Sequence, residues 1–108
     1  MQETDHSKYL PLSEATTYIL LCLVEPTHGY GVMQKVETRT TGQVKIGPGT
    51  LYGAFSTMES EKLIEMVSEA DRRKTYRLTA KGLSLLRAQL DRLDLLLSNG
   101  RSILEELI

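Results

Sequence analysis

The residue types that carry most protein chemistry are few in this chain and far apart. The two histidines, His6 and His28, have no cysteine partner and no HExxH-type spacing, so they predict no metal site. His28, set just before a helix start, reads as a structural hydrogen-bonding residue. The single cysteine, Cys22, lies in the apolar run 19–24. It reads as a small buried hydrophobe, and alone it cannot form an internal disulfide. The stretch Gly47-Pro48-Gly49 precedes a helix but lacks the lysine and the length of a phosphate-binding loop. Glu59, Glu61 and Glu65 do not form a paired-carboxylate site, and no nucleophile stands beside a base. No catalytic residue, metal or cofactor is expected.

What remains is the chemistry of surfaces, and the segment after Gly47 carries most of it. Pro48 suits a first helical position, whose N–H has no partner within the helix anyway. On the helix that follows, to about Glu61, Leu51, Phe55 and Met58 share one face with Ala54 beside them. The opposite face holds Gly49, Gly53, Ser56, Thr57 and Ser60, all small and uncharged, with Tyr52 on the flank. A solvated face normally takes Glu, Lys or Arg, and glycine inside a helix costs up to ~1 kcal/mol relative to alanine. Such a face either is crowded by another helix or lets a partner come close. A DNA major groove admits a helix, and hydroxyls can bond base edges or phosphates.

A second surface feature favours the groove. Two short β-type runs, 63–67 and 75–78, flank the polar stretch 68–74 and predict a hairpin. Its tip and exit carry Arg72, Arg73 and Lys74, with Arg77 following, although Glu69 and Asp71 dilute the charge. A basic hairpin tip next to a groove-sized helix is the electrostatic footprint expected for duplex DNA. Lys45, Lys35 and Arg39 are further candidates for phosphate contact.

The elements that must hold these surfaces follow from periodicity and punctuation. Residues 1–11 read as a polar arm without the apolar core of a signal peptide. Ser13 suits an N-cap, and Ala15, Tyr18, Ile19, Leu23 and Val24 form the buried stripe of a first helix over 13–25, stopped at Glu25-Pro26. A second helix starts near Gly29 with Tyr30, Met33 and Val36 inward. Residues 44–46 alternate and predict a short strand. The predicted order is α-α-β-α-β-β-α: mainly α with a small β-hairpin, a winged helix-turn-helix over 12–78.

Residues 79–108 predict one more helix, capped by Thr79. Leu83, Leu86, Leu90, Leu93 and Leu97 recur at spacings of three, four, three and four, and the phase continues to Leu104. This is a heptad seam. With Leu85, Leu96 and Ile103 beside it, the apolar face is wider than one domain needs, which predicts a homodimer. Asn99-Gly100 reads equally as a helix end or as a close-approach point in a longer helix.

Composition agrees with a modest globular domain. The 108 residues include 13 Lys and Arg against 14 Asp and Glu, a net charge of -1. That balance excludes coating of nucleic acid by bulk charge but leaves a local basic patch open. No run approaches the ~18 apolar residues of a membrane span, and a cytoplasmic location is expected.

The chain resembles the PadR family of bacterial transcriptional regulators from about Leu12 onward. The matching stretches include His28-Gly29-Tyr30-Gly31, Gly47-Pro48-Gly49-Thr50-Leu51-Tyr52 and the segment from Asp71-Arg72-Arg73-Lys74 to Thr79-Ala80-Lys81-Gly82. The resemblance implies a winged-helix domain, a C-terminal dimerisation helix and promoter repression. It carries DNA contact onto Thr50, Tyr52, Gly53 and the wing residues 72–74. Some relatives bind flat hydrophobic drugs between aromatic residues at the dimer interface. This chain has no Trp and no aromatic residue after Thr79, so a drug-stacking pocket of that kind is not expected; a small-molecule effector of unknown identity stays open. The rival readings are a winged helix turned to a protein partner and a sensor built mainly around a small ligand.

Overall fold

The computed structural model describes residues 5–107. Its elements run α1 (Glu14–Cys22), β1 (Thr27–His28), α2 (Gly29–Arg39), α3 (Pro48–Ser60), β2 (Ile64–Ala70), β3 (Arg73–Leu78) and α4 (Ala80–Glu105). The strands form one antiparallel sheet in the order β1-β3-β2. The first three helices, the start of α4 and the sheet enclose a single core whose fully buried side chains include Ile19, Leu20, Leu23, Val32, Val36, Leu51, Ile64 and Leu85. Among the described residues, no helix is long and apolar enough to cross a membrane.

Each helix begins where its cap chemistry says it should. The Ser13 hydroxyl accepts the N–H of Thr16, the His28 ring that of Gly31 and the Thr79 hydroxyl that of Gly82. Gly47, which caps α3, has no side chain to offer, so α3 starts without a side-chain cap and with Pro48 at its first turn.

Three expectations give way. The strand expected at 44–46 is absent. There the Thr40 hydroxyl takes the N–H of Val44 at 3.0 Å, which binds the segment to the end of α2 while Ile46 is buried. The third strand is β1 instead, with Thr27 opposite Tyr76 and His28 opposite Thr75. The inward stripes also shift. Tyr30 and Val24 are exposed, whereas Val32, Leu20 and Cys22 are buried. Tyr30 and Val32 lie on different faces of α2, and the second is the face that joins the core with α1 and α3. The first helix, finally, stops at Cys22. The Leu23 carbonyl accepts the N–H of Leu78 at 3.0 Å, so the chain leaves α1 toward the sheet.

The hairpin is longer and tighter than its sequence suggests. Ala70 faces Arg73, leaving Asp71 and Arg72 as a two-residue turn with φ of 51° and 65°. Positive φ at both central positions is the turn that matches the twist of the flanking strands. Arginine at φ of 65° carries a steric cost that glycine would avoid.

The final helix meets the body only through its first half. At Gly82 a Cβ would collide with the backbone carbonyl oxygen of Leu63, so only glycine lets α4 start this close to β2. Gln89, buried at 3% exposure, accepts the N–H of Leu12 and donates to the Leu12 carbonyl and the Thr17 hydroxyl, all at 3.1 Å. Leu85 and Leu86 join the core. This corrects the predicted seam: Leu86, at 3% exposure, is a core residue and cannot meet a partner subunit. Leu83, Leu90, Leu93, Leu97 and Leu104 remain exposed. The helix runs on unbroken through Asn99-Gly100, and every described residue from Asp91 to Leu107 except Gly100 is exposed.

The arm is docked along this scaffold. His6 is buried with Nε2 at 2.8 Å from the Ser84 hydroxyl. Lys8 pairs with Glu61 at 3.1 Å, and the Lys8 and Lys81 ammonium groups stand 5.4 and 5.1 Å from the centre of the Tyr9 ring. The hydrogen bond from Lys8 holds the Glu61 carboxyl below the usual carboxylate range.

Candidate nucleic-acid interface

Helix α3 divides as its periodicity predicts. Leu51, Phe55 and Met58 are buried, and the Phe55 ring packs at 5.0 Å on Tyr76 of β3 and edge-on at 6.2 Å against Tyr52. Tyr76 donates to Glu59 at 3.4 Å. Burial, and then that carboxylate, push the Tyr76 hydroxyl to higher pKa, so it remains a donor. These contacts fix the roll of α3 relative to the hairpin.

The outer face is open. Thr50, Gly53, Ser56, Thr57 and Ser60 are all exposed, and a Cβ built on Gly49 or Gly53 meets nothing within 4 Å. Neither glycine is therefore needed for packing inside this chain. Tyr52 behaves differently. It is 54% exposed, yet its ring lies so close to Gly29 that a Cβ there would stand 2.7 Å from the tyrosine hydroxyl. Gly29 thus admits Tyr52, and the contact sets the spacing of α2 and α3.

Between α3 and the hairpin runs an open groove of about 500 Å³, lined by Tyr52, Ser56 and Glu59 on one side and Arg72, Arg73, Lys74 and His28 on the other. It joins two of the sequence-predicted α3 residues to all three basic hairpin residues. Gly53 and Thr57 face the other flank, beside Lys8 and Tyr9 of the arm. Lys45 stands apart from both, 3.8 Å from Glu37.

The cations differ in their freedom. Arg77 is held 2.9 Å from Glu65 across the strands, so its charge is already answered. Among the described residues, no carboxylate reaches Arg72, Arg73 or Lys74 within ion-pair distance. Sequence reasoning missed His28 as a member of this groove. Its position before a helix start reveals the cap, but only the β1–β3 pairing carries the ring to Arg73.

Three helices around a small sheet, with a hairpin projecting beside the third helix, make this a winged helix-turn-helix: α2 and α3 are the helix pair and β2–β3 the wing. Residues 19–88 match the model of the transcriptional regulator PadR-like family, and the chain belongs to that family. The fold is shared with a transcriptional regulator from Clostridium thermocellum, at a TM-score of 0.71 and 23% identity over 90% of this chain and 98% of that one. A PadR family regulator from Eggerthella lenta superimposes at a TM-score of 0.70 with 28% identity, covering 83% of this chain and 80% of that one. The chain is also 33% identical over 75 residues to an uncharacterized 37.1 kDa protein of transposon TN4556 from Streptomyces fradiae. That match takes in 68% of this chain but only 21% of the relative's length.

Proposed function

We propose that this chain is a sequence-specific DNA-binding regulator that acts in the cytoplasm as a homodimer and represses transcription by occupying a promoter operator. The observation that carries this reading is the α3 face itself: small, uncharged and open above Gly49 and Gly53, next to a wing tip whose three cations have no carboxylate within ion-pair distance among the described residues. A solvated helix has no reason to look like this, and a helix entering a major groove does. Thr50, Tyr52, Gly53, Ser56 and Thr57 would meet the groove, with Arg72, Arg73, Lys74 and Lys45 on the phosphates.

The dimer is supported by surface arithmetic. A compact chain of 12.1 kDa exposes about 6,000 Å². This one exposes 7766 Å², and its exposed large hydrophobics include Leu90, Leu93, Leu97 and Leu104 of α4. A standard interface covers about 800 Å² per partner, so the surplus is large enough for one. Pairing through α4 would present two copies of α3 to a pseudo-palindromic site with half-sites ~34–36 Å apart.

The test is binding of purified protein to the promoter of its own gene against random duplex across a salt series. Tight binding that survives the competitor and weakens steeply with salt supports the reading. Equal binding to both duplexes at every salt concentration would overturn it, and salt-insensitive binding to a protein would favour a protein partner.

A further inference from the structure

We infer that His28 and Arg73 together form a phosphate-binding pair at the junction of α2 and the wing, and that its ligand is a single backbone phosphate of the DNA. The inference rests on the DNA-binding reading above and adds a residue whose visible role is only to cap a helix.

The argument begins with the protonation of the ring. His28 Nδ1 accepts the backbone N–H of Gly31 at 3.1 Å. A backbone N–H only donates, so Nδ1 carries no proton, and the neutral imidazole holds its proton on Nε2. Nε2 stands 3.5 Å from Nη1 of Arg73. A guanidinium also only donates. The contact is therefore not a hydrogen bond: it holds two N–H-bearing nitrogens 3.5 Å apart at the mouth of the groove, with no acceptor supplied by either.

Nothing among the described residues answers them. Arg73 has no carboxylate within ion-pair distance. Glu59, in the same groove, already accepts from Tyr76. An oxygen that can accept from both donors at once and balance the guanidinium is an anionic one with several lone pairs, which describes a phosphate.

The fold builds this juxtaposition. His28 lies opposite Thr75 in the β1–β3 ladder. Arg73 is two residues before Thr75 on the same strand, so it shares a face with Thr75 and is the diagonal neighbour of His28. The positive end of α2, which starts at Gly29, adds to the local potential. The pair stands at the edge of the groove whose opposite wall is α3. A duplex engaged by α3 would bring a strand backbone past this point.

The test uses the full chain and a double-mutant cycle on DNA binding. His28→Ser keeps a strong N-cap oxygen and removes the ring; Arg73→Gln removes the charge. His28→Ser is expected to melt like the parent and to bind operator and random duplex about tenfold more weakly, the size of one hydrogen bond to a charged group. The operator-to-random ratio should not change, because phosphate contacts carry no sequence. Arg73→Gln should lower the salt slope by about one. The double variant should lose less than the product of the single losses, since both groups share one ligand. Should His28→Ser melt lower, His28→Asn replaces it in the cycle, because it caps through its oxygen and falls short of the Nε2 position. Parent-like DNA binding by a folded His28 variant, or single losses that multiply independently, overturns the pair while leaving the DNA-binding reading intact. A parent protein without affinity for any duplex overturns both.

Discussion

Replacing Gly53 separates the two roles a helix face can have. Nothing lies within 4 Å of a Cβ at this position, and the residue sits inside a regular helix. Alanine there removes the entropic cost of glycine without a clash, which is worth up to about 1 kcal/mol. For a chain of this size, that is a rise in Tm of up to about 4–8 °C, compared at matched protein concentration because a dimer's Tm depends on it. Gly53→Gln keeps most of the propensity gain, since glutamine is a good helix former. It also plants a long side chain on the face proposed to enter the groove. Its affinity for the operator should fall about tenfold or more, or ~1.4 kcal/mol, with the Tm still raised. Thermal melts and fluorescence anisotropy on the same samples read the two effects. A lower Tm for Gly53→Ala would show that the glycine serves the fold. Unchanged DNA affinity for Gly53→Gln would falsify the assignment of this face to the groove.

Three further outcomes follow from the packing. Gly82→Ala forces a methyl into the Leu63 carbonyl, and urea melts should show a loss of about 1–3 kcal/mol, the range for overpacking. Leu97→Glu combined with Leu104→Glu should give a folded monomer by sedimentation, because both side chains are exposed in the single chain. Leu86→Ala should instead cost about 2–5 kcal/mol of folding stability without selectively breaking the dimer, since Leu86 is in the core. The arm latch should respond to acid. Glu61 is held below its ordinary pKa by Lys8, so its contribution is present above the usual carboxylate range and disappears as pH falls through the lowered value. The Tyr9 ring resonances should therefore move on acidification in the parent, and much less in Glu61→Gln.

The helices were legible in the sequence because they are local objects. A period of 3.6 residues places Leu51, Phe55 and Met58 on one side of α3 and the small residues on the other whatever lies around them, and Ser13 and Thr79 cap through bonds three residues long. The wing's basic tip was legible for the same reason. What the sequence could not decide is how one apolar stripe is divided between partners. Leu83 and Leu86 look alike in a heptad, yet α1 and the sheet bury only the second. A scrap of alternating residues at 44–46 scores as well as Thr27-His28, and only the path of the chain out of α1 puts the latter beside β3. Arg77 and Arg73 are equivalent as letters, and cross-strand register neutralises one with Glu65 while turning the other toward His28. Charge, cap and core are properties of single residues; pairing is a property of position, and position across the chain is what the tertiary structure supplies.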